Sequence, residues 1–316
     1  MLDSAGAGPG DRLPARDEAP MTFDYARYLA AKTTVDDRAL NRHVLAGLRR
    51  IMPAGAPRVL EVGAGLGTMV ARLLDRGVVG AGEYILLDAD RQLLDCSRRW
   101  LCDWGAARGL RSDLLPDGLQ VGDLRVRLVH AELGSYLEAA DGALADVLIA
   151  NAVLDLVDVP AVLPGLLRLL VPGGAYWFTI NYDGETIFEP GHPLDGQVMR
   201  AYHRDMDERI RDGRPAGESR TGRRLFHNLW SAGAPALAAG SSDWVLSVGP
   251  DGNYPADEAY FLRSILNTIQ NALLNRQHGV EPADLADWLA VRGRQLDAGD
   301  LVYIAHQLDF AGRTPG

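Results

Sequence analysis

A chain of 316 residues, 47% hydrophobic and 23% charged, has an ordinary globular composition and the length for a sizeable core. A formal net charge of −10 argues against nucleic acid as the main partner, since phosphate binding needs a basic footprint. No apolar run reaches the ~18 residues of a membrane span, so no membrane partner is expected. The two cysteines, Cys96 and Cys102, fall on different faces of one predicted helix, which suits reduced structural thiols in a cytoplasmic protein.

Residues 1–22 are small, polar and rich in Pro and Gly, with no apolar signal core, and are expected to form a disordered tail. Phe23 to Met52 carries apolar positions at spacings of three and four and predicts one or two helices, an N-terminal cap over residues 23–52. "MPAGAP" ends it. From Arg58, strands and helices alternate. "RVLEV" is strand one, Leu66 to Arg76 a helix, Glu83 to Asp88 strand two, and "DADRQLLDCSRRWLCDWG" a helix with an acidic start. A Gly/Asp/Pro-rich loop is expected over 109–124. Arg125 to His130 is strand three, and the apolar run Leu144 to Asn151 is a strand buried on both faces. "VPAVLPGLLRLLVPGG" is a helix and Ala175 to Asn181 strand five. Beyond lies a polar segment, 183–220, with a helix at "VMRAYHRDMDERI", followed by the helix "GRRLFHNLWSAG" and the strand "PALAAGSSDWVLSV". Two helices between 250 and 300 and a closing strand, Leu301 to Gly312, complete the chain.

This alternation implies a parallel sheet covered on both faces, with right-handed crossovers and a ligand site at the carboxyl ends of the strands. Gly63, Asp88, Glu132, Asn151 and Asn181 all follow strand ends and gather on that rim. The loop after strand one reads Glu61-Val-Gly63-Ala-Gly65-Leu-Gly67-Thr68. A dinucleotide fingerprint is G-x-G-x-x-G; here the third glycine comes one residue early and Thr68 stands in its place.

The loop resembles the cofactor motif of class I S-adenosyl-L-methionine (SAM)-dependent methyltransferases of the small-molecule type. Further motifs carry the resemblance: Asp88 ending strand two, "HAEL", "NAVLDLVDVP" and "LLVPGGAYWFTIN". It spans residues 55–182 plus the closing strand pair. It implies an α/β fold with a Rossmann-like, doubly wound, seven-stranded sheet whose last strand is antiparallel. Residues 23–52 would cap this core, and 183–316 would supply further cap, a helical insertion and the closing strands. Glu61 would steady the loop or meet the methionine ammonium, and Gly63, Ala64 and Gly65, with Gly67, would shape the amino-acid end of the site. Asp88 would hold the ribose, Ala89 would pack on the adenine, and Glu132 and the Leu133 amide would meet its edge. Asn151 would offer its carbonyl to the ammonium. The product would be S-adenosyl-L-homocysteine (SAH).

The resemblance makes the N-terminal helices a cover for the methionine end, where Tyr28 would pack near the sulfonium. Lys32, the one lysine in the chain, shares its helix face and would meet the cofactor carboxylate or an anionic substrate. His203 is the first candidate base, because a histidine titrates near neutrality, and Glu185 lies on the same polar segment. Asp183, Arg220, Arg224 and Asp243 are candidate substrate contacts, the arginines suiting an anionic group. His306 reads as a buried, satisfied histidine of the last strand. No metal ligand set is expected. The 250–300 insertion reads as a lid or a homodimer surface. The expected activity is methyl transfer to a small molecule; the alternative is a SAM-binding protein of this fold with a non-methylating or regulatory role.

Overall fold

A computed structural model describes residues 24–211, 213–274 and 279–316; the expected tail, 1–22, lies outside them. The N-terminal cap is three short helices, α1 (Tyr25–Ala31), α2 (Thr33–Ala39) and α3 (Arg42–Ile51), where one or two were expected. Asp24 and Asn41 cap the starts of α1 and α3 by accepting first-turn amides, while α2 follows α1 at Lys32 with no side-chain cap. There follow β1 (Arg58–Val62), α4 (Thr68–Asp75), β2 (Ala81–Asp88), α5 (Arg91–Ala107), β3 (Ser112–Leu115), β4 (Gly118–Val121), β5 (Asp123–His130), α6 (Leu133–Ala139) and β6 (Ala145–Asn151). A 3₁₀ turn (Leu154–Leu156), α7 (Val159–Arg168), β7 (Leu170–Glu189), α8 (Asp195–Asp207), the small pair β8 (Ile210–Arg211) and β9 (Arg214–Pro215), and α9 (Thr221–Ser231) come next. The chain closes with β10 (Ala236–Ser241), β11 (Trp244–Leu246), α10 (Glu258–Leu274), α11 (Pro282–Ala298) and β12 (Val302–Arg313).

The sheet order is β10-β12-β7-β6-β1-β2-β5-β4-β3, with β11 also on β12. Strands β5, β2, β1, β6 and β7 are parallel, and β12 is antiparallel to both β7 and β10. The seven expected strands are therefore present with the last one reversed, inside a sheet of 10. The excess has two sources. The stretch expected as a loop, 109–124, folds back as the antiparallel hairpin β3–β4 and extends the sheet beyond β5. The strand expected over "PALAAGSSDWVLSV" breaks at Ser242–Asp243 into β10 and β11. Strand β7 also runs past Asn181 to Glu189, so the polar segment begins as sheet rather than loop.

Side chains alternate faces along each strand. Val59, Tyr84 and Trp177 join one core with α3, α4 and α5, while Leu60, Ile85 and Phe178 join the other with α7 and α9. The chain moves outward from β1 through β2 to β5, then returns to β6 on the other side of β1. The switch in direction places a crevice at the carboxyl ends of β1 and β6. Above this rim the β7–β12 ribbon continues, Thr186 pairing with Ala305 and Glu189 with Val302, and α8, α10 and α1 pack beside it. Among the described residues no helix is long and apolar enough to cross a membrane.

Candidate cofactor site and acceptor chamber

The glycine loop opens at the crevice. Gly63, Gly65 and Gly67 have φ of +61°, +55° and +71°, the left-handed region that side chains with a Cβ disfavour. A Cβ on Gly63 would lie 2.5 Å from Val153 Cγ2, and one on Gly65 would lie 2.9 Å from Leu29 Cδ1. The loop thus sits bare-backboned between the segment after β6 and helix α1. The Ala64 amide bonds Leu87 O at 3.1 Å, which locks the loop to β2.

Asp88 ends β2 with its carboxylate turned onto this loop. Oδ2 accepts the Gly65 amide at 2.8 Å and Oδ1 accepts the Asp90 amide at 2.8 Å. Both oxygens are oriented and keep a lone pair each for a diol. The cap of α5 is Asp90, not Asp88, so Asp88 remains a rim residue. His130 Nε2 meets the Ala89 carbonyl at 3.0 Å and joins the ends of β5 and β2. Glu132 precedes α6 without capping it; it is exposed, 3.9 Å from Arg211, and Leu133 opens the helix. Asn151 Oδ1 accepts the Thr179 hydroxyl at 2.8 Å.

Two rim residues carry strained backbone. Ala152 and Ile180 have φ of +56° and +57°, rare for residues with a Cβ and costly for a β-branched one. The Ala152 amide bonds Thr179 O, and the Ile180 amide bonds Asp309 Oδ1 at 2.8 Å. Asp309, on β12, also accepts the Asn41 amide at 2.8 Å, so one buried carboxyl pins α3, β7 and β12 together; burial pushes its pKa up to about 6.

Glu61 faces inward. Its Oε2 accepts the Tyr84 hydroxyl at 2.8 Å, and burial raises its pKa to about 8 against the pull of Tyr84 and Arg72. Arg72 Nε binds Asp37 at 2.7 Å and its Nη2 reaches Asp36 at 3.4 Å. Lys32 sits between α1 and α2, buried, 3.5 Å from Asp36 and 5.4 Å from the Trp244 ring centroid. Trp244 Nε1 donates to Asp36 at 2.9 Å. This buried network ties the N-terminal helices to α4 and β11.

The structure brings a set of phenols together that the sequence did not suggest. Tyr28 stacks between Tyr25 and Phe261 at centroid distances of 5.7 and 5.4 Å. Tyr202 bears electrostatically on Tyr28 and on Tyr182, and all three bear on Tyr303; burial is the first cause that raises each of these phenols. Tyr182 OH bonds His203 Nε2 at 2.6 Å and Thr186 Oγ1 at 2.8 Å. Burial holds the His203 pKa below its ordinary 6.5, opposed by Glu185, which is exposed on β7. Asp155, in the 3₁₀ turn after β6, faces this group, and burial raises its pKa to about 6.

The basic cluster expected to hold an anion is largely consumed. Arg224 pairs with Glu218. Asp183 is buried and accepts both the amide and Nε of Arg223, at 2.7 and 2.8 Å. Arg220 is exposed and bears on His203. Asp243 accepts from Ser241 at 2.6 Å and meets His306 Nδ1 at 2.8 Å. His306 is satisfied by Asp243 but only half-buried, where a buried histidine was expected. A separate cavity of about 540 Å³, lined by Leu74, Trp104, Arg108 and Leu110, lies at the opposite end of the sheet. There Arg108 covers Trp104 and pairs with Asp75 at 3.1 Å, and Asp123 also lines the cavity, which is remote from the rim.

No family model matches the chain, and no curated protein does. Solved structures similar to it include a geranyl diphosphate C-methyltransferase from Streptomyces coelicolor, at 10% identity and a TM-score of 0.42 over 85% of this chain and 76% of that one. A mycolic acid cyclopropane synthase is similar at 12% identity and a TM-score of 0.44, over 93% and 86% of the two chains. Likenesses this loose carry no functional weight beside the glycine loop, Asp88 and the cluster of phenols.

Proposed function

We propose that this protein transfers a methyl group from SAM to a small-molecule acceptor. One observation carries the reading: three successive left-handed glycines stand at the topological switch, with the Asp88 carboxylate bonded to the middle one. That arrangement fits the cofactor. The loop of Gly63, Ala64 and Gly65, steadied by Gly67, would present bare backbone to the amino-acid end, the space a Cβ would need being taken by Val153 and Leu29. Asp88 would take the ribose hydroxyls. Ala89, Glu132 and the Leu133 amide would take the adenine, and the Asn151 carbonyl would take the ammonium. Glu61, turned toward Tyr84, would steady the loop from beneath. Lys32, buried at the α1–α2 junction, would complement the cofactor carboxylate.

When bound, SAM supplies a methyl group on a positively charged sulfur, which leaves as the neutral thioether of SAH. The protein's share is to position the acceptor, exclude water and take a proton where the acceptor must lose one. Tyr28 and α10 form the cover. The Tyr182–His203 pair would take the proton, since a neutral imidazole held below its ordinary pKa accepts one at neutral pH. With Arg224 and Arg223 neutralised by Glu218 and Asp183, an anionic acceptor group would have Arg220 to meet.

Calorimetric titration of SAM and SAH tests the first half of the proposal. Asp88→Ala should weaken both by about 100-fold, ~3 kcal/mol for two lost charge-assisted hydrogen bonds. A 14 Da gain on a candidate acceptor tests the second half. Equal SAH affinity in wild type and variant would remove the basis for the assignment.

A further inference from the structure

We propose that the chamber selects a cationic nitrogen: Asp155 and the rings of Tyr25, Tyr182 and Tyr202 hold an amine acceptor that arrives as an ammonium, whose N–H proton would pass to the Tyr182–His203 pair as the nitrogen takes the methyl group and the neutral thioether leaves. The inference rests on the transferase reading and names its acceptor class. Asp155 Oδ1 is buried and accepts no hydrogen bond, an arrangement that costs free energy unless a ligand completes it.

The surroundings say which ligand. Asp155 bears on four phenols that come from three elements, Tyr25 and Tyr28 on α1, Tyr182 on β7 and Tyr202 on α8. Tyr25 bears at once on Asp88 and on Asp155, so the chamber adjoins the proposed ribose contact. Two cations also bear on Asp155, and both are engaged elsewhere. Lys32 lies 3.5 Å from Asp36, and Arg209 lies 2.9 Å from Asp205. The uncompensated charge facing the rings is therefore negative. Tyrosine faces attract ammonium groups through their quadrupole, and a carboxylate among them supplies the counter-charge. An anion would meet the carboxylate's repulsion, and a neutral apolar acceptor would leave Oδ1 unsatisfied.

Choline is a suitable probe, because its uncharged isostere 3,3-dimethyl-1-butanol has the same shape. Calorimetry with the full chain saturated with SAH should show choline binding at least about tenfold tighter than the isostere. Asp155→Asn should erase that preference while leaving SAH affinity unchanged, and Tyr202→Leu should reduce it several-fold. The inference is overturned if wild type binds neither probe, if it binds both equally, or if Asp155→Asn keeps the preference. If SAH does not bind while the preference and its dependence on Asp155 persist, the transferase reading fails and the cation site stands. If Asp155 served only the cofactor sulfonium, the variant would weaken SAM relative to SAH and spare choline, which also overturns the inference.

Discussion

Glu61→Gln should change how stability depends on pH, not merely its level. Glu61 is 2% exposed, and its pKa lies at about 8 in the fold against 4.5 for an unperturbed glutamate. A carboxyl with a raised folded pKa holds its proton longer in the native state than in the unfolded one. The native state therefore binds more protons between these two values, and stability falls as pH rises through that window. Integrating the difference gives a loss of about 1 kcal/mol by pH 5, about 4 kcal/mol by pH 7.5, and little more beyond pH 8 to 9. Glutamine cannot ionise and can still accept the Tyr84 hydroxyl. Asp155 and Asp309, also raised, contribute equally to both proteins and cancel in the difference. Urea unfolding at pH 5, 6, 7.5 and 9 should therefore show the variant gaining about 3 kcal/mol on wild type between pH 5 and 7.5, with unchanged m-values. Parallel stability profiles would refute the reasoning, since they would mean that Glu61 ionises in the fold as it does in water.

Three further outcomes follow from the rim. Gly63→Ala should cost about 2–3 kcal/mol by urea unfolding, from left-handed strain plus the 2.5 Å approach to Val153, and adding Val153→Ala should recover only the steric part. Asp309→Ala leaves the buried Ile180 and Asn41 amides without their acceptor and should cost about 2–4 kcal/mol; Asp309→Asn, which keeps one acceptor oxygen, should cost less. With an acceptor in hand, kcat should rise with pH along a limb centred below 6.5, the ordinary histidine value. His203→Gln should abolish that limb without altering SAH affinity, and Tyr182→Phe should lower kcat.

The layered core was legible because its signals are local. "RVLEV" before a glycine turn and the apolar run to Asn151 each declare a buried parallel strand within seven or eight residues. The hairpin β3–β4 was not, since "SDLL" and "GLQV" are four residues each and pair only because β5 offers an edge. The site divides along the same line. The glycine loop and Asp88 lie where a strand end must put them, whereas the chamber is a convergence of positions 25, 28, 155, 182, 202 and 303 that no spacing announces.

Charge is the property that a linear sequence resolves least, and for one physical reason. Arg224 and Asp183 look like ligand-binding groups in the sequence because each carries a full charge on a polar stretch. In the fold Glu218 pairs with the first and Arg223 with the second, so both charges are met internally. Asp155 is the converse: in "NAVLDLVDVP" it looks like any loop acid, yet Lys32 and Arg209 are drawn off to Asp36 and Asp205, and one of its oxygens is left buried without a donor. A charged side chain speaks for a ligand only after its own fold's partners have been subtracted, and here that subtraction leaves Asp155 Oδ1, rather than Arg223 or Arg224, as the group without a partner.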